Sequence, residues 1–261
     1  MAETLTSPQN PKIKDLLVLE TQSRERKARG LFVVEGRREF ERARAAGFEP
    51  VTVFVREGES VQLTAEAHFL VSRRVYEKIA WREGTEGIVA VMRARETALE
   101  ALRLSAAPLV LVLEQVEKPG NLGAVLRSAD AAGVDAVLVC DPLTDLYNPN
   151  LIRASLGAVF SVPVVACSSE AAAAWLQKQG IAILTAQLQD SEWYYDTDMT
   201  RPTALVFGAE DKGLSDFWRE RADAHIRIPM AGMMDSLNVS VSAAILAFEA
   251  VRQRNQQTRQ R

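Results

Sequence analysis

The sequence predicts an α/β protein of two parts: a C-terminal domain built on a parallel sheet with helices on both faces, and a smaller N-terminal α/β domain. Two observations carry this. From Leu109 onward, segments apolar at nearly every residue (LVLVLE, VDAVLVC, IAILTA, TALVF) alternate with helical patterns, and strands apolar on both faces belong to parallel sheets covered on both sides. The first ninety or so residues mix short strands and helices with their own apolar periodicity, enough for a separate small core. At 261 residues the chain accommodates both.

In chain order, Pro11 sits where a helix starts, and Ile13, Leu16 and Leu17 open an amphipathic segment running to Gly30. LFVVE is a strand, and GRREFERARAAG a helix closed by Gly47. VTVFV, HFLV and GIVAVM are strands, with the helix RRVYEKIA before the last. RARETALEALRLSAAP reads as a charged helical connector, and the boundary falls near residue 104, giving domains 1–104 and 105–261. Then come strand LVLVLE, helix NLGAVLRSADAAG, strand VDAVLVC, helix PNLIRASLGAVF, strand PVVA, helix EAAAAWLQKQG and strands IAILTA and TALVF. A short strand IRIP and a helix from Asn238 to about Arg252 close the pattern.

Composition narrows the function classes. No apolar run is long enough to span a bilayer, and MAETLTSPQNPKIKD lacks a signal-peptide core, so a cytoplasmic protein is expected, with no membrane partner. Cys140 and Cys167 sit in apolar strands and read as small core residues of a reducing compartment. The two histidines, His68 and His225, fall in different domains, so neither a metal site nor a Ser-His-Asp triad is expected, and no G-x-S-x-G occurs. The net charge of −3 speaks against indiscriminate nucleic-acid binding. Arginines nonetheless cluster at 24–29 (with Lys27), at 37–44, and in the tail at 252, 254, 259 and 261. Singly each reads as a solvated charge; together they suggest a local anionic partner such as a phosphate backbone.

Three segments carry the chemistry. In EKPGNLGAVLRSADAAG, Gly120 and Gly123 share a helix face with Arg127, clearing an approach to it, and Asn121 stands where its side chain can cap the helix or reach outward. On these residues alone, an Arg127–Asp130 surface pair is an equally good reading. In FGAEDKGLS, Gly208 and Gly213 free the backbone for close approach to a flat ligand, with Glu210 between them. The turn is neither a dinucleotide fingerprint nor a P-loop. In IRIPMAGMMDSLNVSVSAA, Ser236 is placed to cap the last helix, Asn238 is a costly polar residue unless its amide is used, and Met230, Met233 and Met234 offer either a pliable lining or core filling.

These segments, in this order, resemble the SpoU (TrmH-like) RNA 2′-O-ribose methyltransferases of the SPOUT superfamily. The resemblance rests on Asn121 and Arg127; on Gly208, Glu210 and Gly213; and on Ile228, Pro229, Met230 and Ser236 to Ser240. It covers about 150 residues, Leu109 to Arg254; Ser242 stands where an alanine is usual. More loosely, NPKIKDLLVL, GLFVVEGRREFERA and TEGIVAVM resemble the small L30e-like substrate-binding domain that often precedes this catalytic domain. The resemblance implies a C-terminal trefoil knot, an exception to the rule against threaded chains. It implies S-adenosylmethionine held through Gly208, Ile228, Leu237 and Thr185, and catalysis by Asn121, Arg127, Glu210, Ser236 and Asn238. It also implies a homodimer acting on RNA, ribosomal RNA ahead of transfer RNA. Two alternatives stay open: a non-catalytic RNA-binding relative, and a knotted methyltransferase of base nitrogens.

Overall fold

The structure, a computed structural model, describes residues 3–59, 67–81 and 86–259; Thr85 of TEGIVAVM and Arg261 of the tail lie outside them. The chain divides into two compact units, one of residues 1–96 with 145–161, the other of 97–144 with 162–261.

The first unit is built on strands β1 (Glu3–Leu5), β2 (Leu31–Glu35), β3 (Pro50–Arg56), β4 (Ala67–Val71) and β5 (Ile88–Arg93), in the order β1-β4-β3-β5-β2. Pairings to β4 are parallel and those to β5 antiparallel. Its first helices are α1 (Pro11–Thr21), α2 (Ser23–Arg29), α3 (Arg37–Ala45) and α4 (Arg73–Ile79). Ile13, Leu16, Leu19, Phe54, Val75 and Ile79 form a core between sheet and helices.

Three sequence expectations are corrected here. The helix expected from Pro11 to Gly30 is two helices, because the chain is extended at Gln22. The Arg26 guanidinium donates to the carbonyls of Leu19 (2.7 Å) and Glu20 (3.1 Å), satisfying helix-end acceptors that a continuous helix would have used. The connector after Arg93 forms only a single 3-10 turn, Leu99–Ala101. Leu99, Leu102 and Leu104 pack on the second unit's core at a spacing no helix face provides, while the Asp135 carboxylate takes the Ser105 and Leu109 amides. Some members of the basic clusters are taken up by the fold, while Arg24 and Lys27 stay exposed. Arg26 is 4 % exposed and paired with Asp145 at 2.6 Å. Arg29 grips Asp15 in bidentate fashion, Arg42 donates to the Leu156 carbonyl, and Arg254 donates to Met199, Ala107, Pro108 and Arg201 carbonyls.

The second unit carries β6 (Leu109–Glu114), α5 (Pro119–Ala132) and β7 (Ala136–Cys140). The chain then enters α6 (Pro149–Ala154) and α7 (Ala158–Ser161), which belong to the first unit. PNLIRASLGAVF is thus not one helix: Leu156 and Gly157, at φ of +53° and +82°, separate the two. Tyr147 stacks on Phe32 at 4.3 Å and Phe160 packs on Phe32 and Phe48, which ties this segment to the first unit.

The chain returns with β8 (Val164–Cys167), α8 (Ser169–Lys178), β9 (Ala182–Ala186), β10 (Glu192–Trp193), β11 (Thr203–Phe207), α9 (Asp216–Arg219), β12 (Ala224–Arg227) and α10 (Val239–Arg259). The seven strands run β10-β12-β9-β11-β6-β7-β8, every pairing parallel, as the apolar runs predict. Cys140 and Cys167 are free thiols in register on β7 and β8. The hydrogen bond between them, and then burial, push the Cys140 thiol up. Among the described residues no helix is long and apolar enough to cross a membrane, and no cluster of His, Cys, Asp or Glu is arranged to hold a metal.

Candidate active site

In a parallel sheet, loops leaving the strand ends gather at one edge. The turn after β11 (Gly208–Gly213), the loop after β12, the start of α10 and the segment after β9 together enclose a cavity of about 680 Å³. That size lies within the range of about 300–1,000 Å³ typical of small-ligand sites.

The turn depends on its glycines. A Cβ on Gly208 would lie 2.1 Å from the Gly213 carbonyl carbon and 2.3 Å from the Leu214 nitrogen. Backbone therefore runs against backbone at this point, where only glycine fits. Gly213 adopts φ +66° and closes the turn through its N–H to the Ala209 carbonyl at 2.9 Å. Ser215 donates its N–H and Oγ–H to the buried Glu114 carboxylate at 2.9 and 2.6 Å, pinning the turn to the end of β6.

The three sequence segments meet beside this turn. The Asn238 side-chain amide donates to Asn121 Oδ1 at 3.2 Å and to Glu210 Oε1 at 3.5 Å. Its own Oδ1 accepts from the Ser240 N–H (2.9 Å) and hydroxyl (2.6 Å), so Asn238 caps α10. The cap expected of Ser236 is thus corrected: its hydroxyl turns to Asp235 instead, at 3.4 Å. Asn121 does not cap α5 either, because Pro119 already starts that helix and Lys118 occupies the cap position. Its Nδ2 is buried without a partner among the described residues.

Gly208, Glu210, Ile228, Met230, Ser236, Leu237 and Asn238 all line the cavity. Thr185 does not. It is fully buried, its hydroxyl 2.6 Å from His225 Nδ1, and the wall in that segment begins at Ala186. Met233 and Met234 stand exposed, neither lining nor core. Arg127 is exposed and lies outside the cavity wall. The cleared face beside it is half realised: Gly120 is open, Gly123 buried.

Residues 108–248, more than half of the chain, match the SpoU rRNA Methylase family. The chain belongs to that family. As a SpoU methylase it is an RNA methyltransferase, and its residues 10–90 match the MRM3-like substrate binding domain. It is 39% identical over 183 residues to the Pseudomonas putida protein named 23S rRNA (guanosine-2′-O-)-methyltransferase RlmB, covering 67% of this chain and 74% of the relative. It is 30% identical to the Bacillus subtilis 23S rRNA (guanosine(2553)-2′-O)-methyltransferase RlmP, covering 94% and 97%. The structure of the SpoU methyltransferase AviRb from Streptomyces viridochromogenes in complex with AdoMet superposes with a TM-score of 0.87 at 27% identity, over 95% of this chain and 100% of that one.

Against that family, two supporting groups escaped the sequence reading. Lys118 forms an ion pair with Glu210, which raises the lysine's pKa. Glu114 is the carboxylate that anchors the turn. Both left a signal: a lysine directly before the Pro-Gly-Asn helix start, and a carboxylate ending an otherwise apolar strand.

Proposed function

We propose that this SpoU methylase transfers a methyl group to the ribose 2′-oxygen of a guanosine in 23S ribosomal RNA, working in the cytoplasm as a homodimer. The observation that carries the reading is the meeting of Asn121, Glu210 and Asn238, from three distant segments, beside a cavity of ligand size. The names of the relatives support ribosomal RNA over transfer RNA, and guanosine as the nucleoside.

The residues present fit S-adenosylmethionine. Gly208 brings bare backbone to the wall, and Ile228, Met230 and Leu237 supply apolar surface for the cofactor. When bound, that cofactor supplies an electrophilic methyl on a sulfonium, so the protein's part is alignment and charge stabilisation. Gly208, Ile228 and Leu237 hold the cofactor; Thr185 supports the wall from beneath. Arg127 binds the phosphate next to the target ribose through its planar guanidinium and stabilises developing alkoxide charge. Asn121, Glu210, Ser236 and Asn238 orient the ribose and the loops.

The homodimer reading is supported by α10, which leaves Val241 and Phe248, seven residues apart, exposed on one face. Because Arg127 stands clear of its own cavity wall, it is free to serve the cavity of a second copy.

The test is transfer of labelled methyl from S-adenosylmethionine to unmodified 23S rRNA, 16S rRNA and tRNA, with Arg127→Ala as control. Ribose-linked label in 23S rRNA alone, lost in the variant, is expected. Label on tRNA alone overturns the substrate assignment, and intact cofactor binding with no transfer to any RNA overturns the activity.

A further inference from the structure

The first unit holds one side chain that its fold does not explain. Trp81 is 64 % exposed, the single large hydrophobic of that unit standing in solvent among the described residues. It is nevertheless held firmly. Its backbone N–H donates to Glu35 Oε1 at 2.9 Å, and the Glu35 side chain is itself only 5 % exposed. One face of the indole is covered by the Arg153 guanidinium, 4.8 Å from the ring. Arg153 is in turn fixed by Glu35 Oε2 at 3.4 Å and by Asn150 Oδ1.

A surface tryptophan serving only as a stray apolar group has no need of this support. A cation behind one face polarises the ring, which stays largely exposed to solvent. An apolar docking site for a protein is a contiguous patch, and no second exposed large hydrophobic accompanies Trp81 among the described residues of this unit. A lone, rigid, cation-backed ring fits a different ligand, a nucleobase. Unpaired bases of structured RNA are taken up by stacking on aromatic and guanidinium planes. Trp81 also lies inside residues 10–90, the span matched by the substrate binding domain.

We propose that Trp81, backed by Arg153, is a stacking platform for one unpaired base of the RNA substrate, and so a substrate-positioning residue that is not part of the cavity wall. The proposal rests on the RNA reading above. Removing the ring lowers RNA affinity without touching the cavity, so it acts on KM for RNA and not on kcat or cofactor binding.

The experiment is a steady-state series with Trp81→Ala and Trp81→Phe on unmodified 23S rRNA transcript, joined to tryptophan-emission titrations with the same transcript. Trp81→Ala should raise KM for RNA by roughly 5- to 100-fold, the range of one lost base–aromatic stack. Its kcat and its S-adenosylmethionine affinity should stay near wild type. Trp81→Phe keeps a ring and should keep most of the affinity, while abolishing the Trp81 share of RNA-induced quenching. Unchanged KM in Trp81→Ala, with quenching unaltered in Trp81→Phe, overturns the platform and leaves the methyltransferase reading standing. If the wild type methylates no RNA, the activity reading fails, and the titration still decides: quenching lost in Trp81→Phe supports the platform, and quenching that is absent or unaltered refutes it.

Discussion

The side-chain amide of Asn238 lies 3.2 Å from the side-chain oxygen of Asn121, 117 positions earlier in the chain. One residue thereby does two jobs: its oxygen caps α10 and its nitrogen fastens the helix start to α5 and to Glu210. Stability and site geometry are joined at a single amide, whose two ends can be separated by substitution.

Asn238→Asp keeps the oxygen that accepts from Ser240 but loses the donor to Asn121 and Glu210, and adds negative charge beside Glu210. We expect a melting temperature near wild type and methyl transfer reduced by two orders of magnitude or so, on the scale of losing one oriented hydrogen bond at a reacting centre. Asn238→Ala loses both ends and should lose about 1 kcal/mol of stability besides. Thermal denaturation beside single-turnover methyl transfer separates the cases; full activity in Asn238→Asp would falsify the positioning role.

Gly208→Ala places a methyl group where the Gly213 backbone already lies, 2.1 Å away. The obstacle is main chain and cannot swing aside, so the turn must open. S-adenosylmethionine binding by calorimetry should weaken at least tenfold, while the circular dichroism of the parallel sheet stays unchanged. Wild-type affinity in this variant would show that the close backbone approach has no part in holding the cofactor.

The parallel strands were readable because each is apolar on both faces, a pattern that a half-exposed strand could not carry without leaving a row of apolar side chains in water. The site was readable in pieces. Asn238 stands out as a costly choice early in an apolar helix, while Gly208 and Glu210 are weak signals singly that the fold brings to the same cavity wall. The cap of α10 falls on Asn238 and not on Ser236, and Asn121 reaches outward where a cap was equally open, because a cap is settled by one or two residues of helix phase, finer than periodicity resolves. Arg26 shows a different limit. In a run of charges it looks like a solvated side chain, and its burial depends on Asp145, 119 positions away. The same long reach accounts for 145–161 joining the first unit: Tyr147 and Phe160 find their partner in Phe32, which no local pattern announces.

Glu20 supplies a pH signature in the first unit. Burial foremost, and then the nearby Glu35 carboxylate, push its pKa from 4.5 up to about 8, against the pull of Arg153. Between those values the folded chain holds a proton that the unfolded chain has released. The stability tied to this group is therefore fully present below about pH 4.5 and is lost as pH rises through about 8. The loss across the window should be on the order of a few kcal/mol. Urea midpoints followed from acid to mildly alkaline pH should show it, and Glu20→Gln should flatten the slope. An identical slope in that variant would assign the pH dependence to other groups.

Arg127 carries the last prediction. It is exposed, so its replacement should leave the melting temperature within about 0.5 kcal/mol of wild type in stability terms. It does not line the cavity, so S-adenosylmethionine affinity should also hold. What should fall is the rate: a guanidinium that clamps phosphate and steadies developing negative charge is worth roughly 100- to 1,000-fold at the reacting centre. Arg127→Lys keeps the charge and loses the planar fork, and it distinguishes two accounts. Activity close to that of Arg127→Ala means that fork geometry, and with it bidentate binding, does the work. Near-wild-type turnover in Arg127→Lys means that a point charge suffices, and bidentate binding of the phosphate by Arg127 is then wrong.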